Sequence, residues 1–344
     1  MLRSEKIAWR MPIGQTVKTV AIDRKFRLRE AVRAATTCAM QLPTLRQMQY
    51  FIALAETGSF SRAAAASHVT QSTLSDAIRH LEEIVGVALV DRSNRMVSLT
   101  PAGDAALPRM KTLVVDAREL VEAARSSHAP LSGRIRLGVI PSIAPFFLPR
   151  ALPELRRGYP RLRLHLREGL TRPMLEDLRA GRLDAVLIAL PAAVEEFVVD
   201  PIAEDSLLVA VAGNHPLAGR HRVSPGELAA ETLLLLEDGH CLSEHVRAAA
   251  PDLAARASDE IRASSLTTLV QMVDNGLGIT FVPRIAAEAG ILSGTGISLM
   301  AMDQRQATRS LALCWRRSSS RERDFRLLAA CLRRFALEPV RDAA

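Results

Sequence analysis

The strongest constraint on this chain is the stretch from Leu42 to Leu99, where three short helical patterns and a hairpin follow one another without a spare loop. Leu45, Met48, Ile52 and Ala55 recur at helical spacing, and Gly58 stops that helix. Ser59 caps a second helix that runs through Ala66. Thr70 caps a third, whose apolar stripe is Leu74, Ile78, Leu81 and Ile84 and which ends at Gly86. Val90–Leu99 reads as a small hairpin with Ser93-Asn94 at its tip. Helix, helix, short turn, helix, hairpin is the order of a winged helix-turn-helix, so residues 42–100 are expected to bind double-stranded DNA.

In that arrangement the third helix enters the major groove. With Leu74, Ile78 and Leu81 turned inward, Gln71, Ser72, Thr73, Ser75, Asp76 and Arg79 face outward. Amide, hydroxyl and guanidinium groups at a helix start can bond base edges and phosphates. Asp76 would repel phosphate, so it either caps the helix or pairs with Arg79. On the hairpin, Arg92 and Arg95 suit backbone or minor-groove contacts. Each of these residues alone reads as a solvated surface position, and only the ordered set carries the argument.

Thr100-Pro101 restarts a helix, with proline at its first position. Leu107, Met110, Val114, Ala117, Val121 and Ala124 form a heptad seam, which fits pairing with a second copy of the chain. The other reading is an amphipathic helix packed on its own domain. Pro108 is expected to kink this helix or mark a late start. Residues 101–130 are thus a linker helix and hinge, closed by Ser126-Ser127-His128-Ala129-Pro130.

Beyond the hinge, strands alternate with helices. Strand patterns cover Arg134–Ile140, Arg163–Glu168, Ala185–Leu190, Leu207–Ala212, Thr232–Leu236, Ile279–Val282 and Leu311–Trp315, with helices at Pro149–Arg157 and Met174–Ala180. This predicts an α/β domain with mostly parallel sheets over residues 131–340. So many strands suit two lobes around a cleft, lobe I from 131–203 plus 306–340 and lobe II from 204–305.

The net charge of +8 says less than its size suggests, because residues 1–39 hold nine Lys and Arg against three acids. That basic extension shows no sustained period and lacks the apolar core of a secretory signal. It reads as an upstream start ahead of Met40, or as an organelle transit peptide. No apolar run is long enough for a transmembrane helix, so no membrane association is expected. Cys38, Cys241, Cys314 and Cys331 are scattered without metal-ligand spacing, which fits a reducing cytoplasm and neither a metal nor a cofactor. No Ser/His/Asp order, phosphate loop or dinucleotide fingerprint is present, and no enzymatic activity is expected.

The run Leu45 to Ala64 resembles the N-terminal domain of LysR-type transcriptional regulators. So do Val69 to Glu82 and the pair Leu89-Val-Asp-Arg92 and Leu99-Thr-Pro-Ala-Gly103. The likeness extends from Leu42 to about Val340. It implies a dimer-forming linker helix, a periplasmic-binding-protein-like effector domain in two lobes, and a homodimer or homotetramer that works with RNA polymerase. Ser72 stands where that family commonly has proline. Within the family, the effector half is most similar to OxyR, the hydrogen-peroxide-sensing branch. The carrying residues are Leu137-Gly-Val-Ile-Pro141, Leu183 to Leu190, Leu234-Leu-Leu-Glu-Asp-Gly-His-Cys-Leu242, Ser265 to Leu269 and Gly276 to Thr280.

Chemistry points to the same cysteine. Cys241 follows Gly239-His240 at the start of a helix running to about Ala249. Unpaired amides, the helix dipole and a donor or cation at His240 would favour a nucleophilic thiolate that attacks a peroxide O–O bond. The structural alternative is a small apolar residue at a helix start. Through the resemblance, Ser142, Thr171, Glu244 and Arg309 join His240 as the peroxide or effector pocket. In the OxyR pattern a resolving cysteine lies nine residues further on, and here that position is Ala250. Cys314 and Cys331 read as core residues.

The oxidised state is then a sulfenic acid, a mixed disulfide with a small thiol, or a bridge to a distant cysteine, returned by a thiol reductant. The alternatives are a LysR-type regulator responding to a metabolite bound between the lobes, and a solute-binding module or thiol peroxidase.

Overall fold

The structure is a computed structural model that describes residues 41–92, 97–125, 129–255, 257, 262–303 and 307–335. Helix α1 (Leu45–Thr57) opens on a capping box. The Thr44 hydroxyl accepts the Gln47 amide at 3.2 Å, and Gln47 Oε1 accepts the Thr44 amide at 2.8 Å. Its buried face is Gln47, Met48, Tyr50, Phe51 and Leu54, whereas the expected Ile52 and Ala55 are half-buried and Leu45 is exposed. The aromatic ring at 51 takes the centre of this small core, so the buried stripe is rotated from the predicted one.

Helix α2 (Phe60–Ala66) and helix α3 (Gln71–Val85) follow. Leu74, Ile78 and Leu81 are wholly buried, and the Thr70 hydroxyl caps α3 by accepting the Thr73 amide at 3.2 Å. Gly86 closes α3 in the left-handed region, at φ +81°. Strands β1 (Val90–Asp91) and β2 (Ser98–Leu99) pair antiparallel, while the tip residues between them lie outside the described residues.

The linker helix α4 (Pro101–Arg125) starts at Pro101 and runs through Pro108, so the proline does not mark a late start. Thr100 caps it by accepting the Gly103 amide at 3.0 Å. Gly103 is glycine because of a close approach: a Cβ there would sit 2.1 Å from the Leu89 carbonyl oxygen. Met110 and Val114 are buried in the core of α1–α3, so the first half of the heptad seam packs on its own domain. Leu113, Leu120 and Val121 are exposed: Val121 continues the seam, and Leu113 and Leu120 form an apolar strip beside it.

The second half comprises β3 (Gly133–Val139), α5 (Ala144–Gly158), β4 (Leu162–Glu168), α6 (Thr171–Arg179), β5 (Ala185–Leu190), β6 (Phe197–Val211), β7 (Arg222–Val223), β8 (Leu235–Leu236), α7 (Cys241–Ala249), α8 (Pro251–Ala254), β9 (Arg262–Ala263), α9 (Leu266–Asp274), β10 (Thr280–Pro283), α10 (Arg284–Glu288), β11 (Ser298–Met302), β12 (Thr308–Arg316) and α11 (Glu322–Arg333). The main sheet runs β4-β3-β5-β12-β6-β11-β7, with β10 also on β6.

It is mixed rather than mostly parallel. Strand β3 is parallel to β4 and β5, but β12 is antiparallel to both β5 and β6, and β10 and β11 are antiparallel to β6. The cause is β6, fifteen residues long, which serves both ends of the sheet. Its first part pairs with β12 and its last part with β10 and β11.

Two hydrophobic cores result. One gathers β3, β5, α5, α6, β12 and α11; the other gathers the end of β6, β8, α7, α9, β10 and β11. Cys241 and Ile285 are exceptions to chain order. Their neighbours in sequence fill the second core, yet both side chains pack into the first.

The linker helix is fastened to this sheet. The buried Arg316 at the end of β12 pairs with Glu119 of α4 and donates to the carbonyls of Leu178 and Leu183 at 2.5 and 2.7 Å. Nearby, the Ser318 hydroxyl donates to Asp116 at 3.0 Å.

Candidate functional site

The outward face of α3 is the candidate nucleic-acid surface. Gln71, Ser72, Thr73 and Arg79 are exposed and Ser75 is half-buried. Thr73 shares the cap with Thr70 (2.8 Å), Ser72 lies 3.0 Å from the Thr70 hydroxyl, and Gln71 accepts from Ser61 at 2.8 Å. Asp76 pairs with Arg79 at 3.1 Å, the second of the two roles expected for it.

Arg92 has structural work as well. It pairs with Glu82 at 3.0 Å and lies over the Phe60 ring, while the other Glu82 oxygen accepts the Leu89 and Val90 amides at 2.9 and 3.0 Å. These contacts fasten the wing to α3. Arg95 lies outside the described residues.

The second site forms around Cys241. Gly239, at φ +94°, turns the chain so that His240 and Cys241 open α7, and a Cβ on it would meet Leu170 at 3.2 Å. This brings α7 against the start of α6. Cys241 is 6% exposed and lines a cavity of about 10 Å³ with Ile140, Pro141, Ser142, Leu170, Thr171 and His240. That is the space of a single water-sized molecule.

Behind it lies a buried ion pair. Arg309, on β12, contacts Asp205 of β6 at 2.9 Å, and neither side chain is more than 1% exposed. Arg309 also donates to the Ser142 hydroxyl at 2.7 Å and the Ser142 carbonyl at 3.1 Å. Asp205 in turn accepts the Ile285 amide at 3.0 Å. The Thr171 hydroxyl is buried and has no conventional hydrogen-bond partner.

Ser142, Thr171, His240, Cys241 and Arg309 therefore converge. Glu244 points to solvent, and its charge acts on Cys241 only at a distance. Two side chains that the sequence reading passed over belong to the cluster. Asp205 is the partner of Arg309. His245, one turn after Cys241, is 6% exposed, and neither ring nitrogen closes a hydrogen bond of ordinary geometry.

The electrostatics differ from the expectation of an activated thiolate. Burial pushes the Cys241 thiol up, and the Arg309 charge and the Thr171 hydroxyl only partly draw it back. His240 is pushed down by burial, so near neutral pH it is a neutral imidazole rather than a cation. The helix start is offset here by desolvation, which local sequence does not reveal.

Cys314 is fully buried and its thiol is pushed up to about 12 by burial, as a core residue. Cys331 packs half-buried against the same core and donates to the Tyr159 hydroxyl at 3.7 Å.

A winged helix-turn-helix tied by a linker helix to a two-core α/β unit, with polar groups converging where the cores meet, defines a DNA-binding regulator with a sensing half. Comparison with known proteins makes the class specific. Residues 45–104 match the model described as "Bacterial regulatory helix-turn-helix protein, lysR family", and residues 128–336 match the "LysR substrate binding domain".

The HTH-type transcriptional regulator EstR of Acinetobacter baylyi is 38% identical over 85% of this chain and 97% of its own. The DNA-binding transcriptional dual regulator OxyR of Escherichia coli is 35% identical over 84% and 94% respectively. Among solved structures, a full-length OxyR cysteine-to-aspartate variant from Pseudomonas aeruginosa matches with a TM-score of 0.67 and 30% identity, covering 85% of this chain and 98% of that one. A hydrogen-peroxide-bound OxyR cysteine-to-serine mutant from Corynebacterium glutamicum matches with a TM-score of 0.58 and 34% identity, covering 86% and 93%.

The chain belongs to the LysR family of transcriptional regulators, and its relatives, OxyR among them, are transcriptional regulators rather than enzymes. Among the described residues no helix is long and apolar enough to cross a membrane.

Proposed function

We propose that this regulator responds to hydrogen peroxide through Cys241 and does so without a resolving cysteine. The observation that carries the reading is the cavity at Cys241, which has room for a water-sized molecule and not for a metabolite. Its walls offer what a peroxide needs: the Thr171 hydroxyl beside the Cys241 sulfur, the Ser142 hydroxyl on Arg309, and a neutral His240 able to donate or accept. The relatives named as hydrogen-peroxide-inducible activators support the same assignment.

The reaction forms an S–O bond on Cys241 and breaks the peroxide O–O bond. Sulfur loses two electrons, and the thiol proton leaves with the departing oxygen as water. Ala250 is packed in the second core, where the resolving thiol of the OxyR pattern would stand. Cys314 is five residues along β12 from Arg309, about 16 Å at strand spacing. Cys314 on β12 and Cys331 on α11 do not line the cavity at Cys241. The product is a sulfenic acid.

Treating the reduced protein with a small excess of peroxide and recording intact mass is expected to give one added oxygen, mapped to Cys241 and absent in Cys241→Ser. Loss of two hydrogens would overturn the one-cysteine scheme. An unreactive Cys241 would overturn peroxide sensing and leave a small-molecule effector.

On the DNA side, α3 is proposed as the reading helix. Arg79→Ala is expected to weaken operator binding and reduce the salt slope by about one, as for the loss of one phosphate contact. Gel shifts across a salt series check this, and an unchanged slope counts against it. The exposed strip of Leu113, Leu120 and Val121 is proposed to pair with the same strip on a second copy.

A further inference from the structure

We infer that His245 is the hydrogen-bond partner of oxidised Cys241, held in reserve by the reduced fold. The inference rests on the peroxide reading above and concerns the state that follows it.

His245 follows Cys241 by four residues on α7, so the two share a helix face with Cβ atoms about 5–6 Å apart. Helical side chains lean toward the N-terminus, which tilts the imidazole toward the sulfur. Helix α7 packs on β12, and the Arg309 charge acts on both Cys241 and His245, so both side chains lie on the side of the helix that faces Arg309. The groups facing the ring are Arg309 from β12 and the Leu190 carbonyl at the end of β5. Burial and the Arg309 charge bring its pKa down to about 4, so the ring is neutral and carries one donor and one acceptor.

In the reduced protein neither ring nitrogen closes a hydrogen bond of ordinary geometry, the Leu190 carbonyl facing the ring without reaching one, although the residue is 94% enclosed. A buried imidazole left unsatisfied is costlier than an apolar side chain of similar size. Its presence is explained if another state uses it. Oxidation supplies that state. Peroxide and the Cys241 thiol give Cys241–S–O–H and water, and the new hydroxyl must find an acceptor within a closed pocket. His245 accepts from the sulfenic acid, or donates to the sulfenate, with the same neutral ring. With no thiol at 250 to capture the sulfenic acid, such a partner sets its lifetime.

The test compares wild type, His245→Leu and His245→Gln as full-length proteins. Each is pulsed with peroxide, the excess is removed by catalase, and a cyclic 1,3-diketone trap is added at increasing times before mass analysis. Melting curves of the reduced proteins run alongside. Reduced His245→Leu is expected to melt no lower than wild type, while its trappable sulfenic acid decays about tenfold faster, the factor of one lost hydrogen bond. His245→Gln, which can still donate and accept, restores most of the lifetime.

Equal lifetimes in wild type and His245→Leu would overturn the inference while leaving peroxide sensing intact. A markedly lower melting point of reduced His245→Leu would also overturn it, by placing the role of His245 in the reduced fold. No trappable oxidation in wild type would overturn both readings.

Discussion

Asp205→Ala is expected to lower stability by about 3–5 kcal/mol, the usual result of removing one partner from a buried ion pair. Arg309 would keep its charge with no counter-charge and no water, because it is wholly buried. The Ile285 amide would lose its acceptor in the same step. The loss falls where the two cores meet, since Asp205 lies on β6, Arg309 on β12 and Ile285 on α10. Asp205→Asn keeps the shape and one acceptor, and should lie between wild type and alanine. Urea denaturation of the reduced protein measures the difference. A cost under about 1 kcal/mol would mean that Arg309 finds another partner or that water enters.

Ile78→Ala is expected to abolish operator binding while leaving the sensing half active. Ile78 is wholly buried in the small core formed by α1–α3 and the start of α4. Truncating a buried isoleucine costs about 2–5 kcal/mol, a large share of what such a small core supplies. The second half has its own cores, so peroxide reactivity of Cys241 should stay within about twofold of wild type, since distant sites act independently. Gel shifts and intact-mass kinetics on one preparation test both halves of the statement. Normal operator binding, or parallel loss of Cys241 reactivity, would contradict it.

How far the sequence leads depends on how local the determining physics is. Helix α3 was readable because its caps and stripe lie within one window: Thr70, Gly86, and Leu74, Ile78 and Leu81 between them. Strand β5 was readable as a purely apolar run. Strand β6 was read only in its last part, because Pro201, Glu204 and Asp205 interrupt the apolar pattern that pairing with β12 sustains.

Arg309 and Ser142 were found through a family resemblance, since their contact spans the chain. Asp205 and His245 look like ordinary polar residues in sequence; what marks them is burial, which only the assembled fold decides. The same holds for Cys241. Its place at a helix start is local and argues for a thiolate, whereas the enclosure that opposes ionisation is contributed by the segment after β3 and the start of α6.

Strand β12 carries Arg309 near one end and Arg316 at the other, about 23 Å apart at strand spacing. It is laddered on both sides, to β5 and to β6, so it cannot slide without breaking two rows of hydrogen bonds. A member clamped in this way behaves as a rod. One fitting grips the pocket around Cys241, and the other, through Glu119, grips the helix that leads to the DNA-reading end. Cys241 and the linker helix are thereby joined to the same strand. A shift of β12 at the pocket has to pass the change of register against β6 at Leu311/Ala312 before it reaches the linker helix.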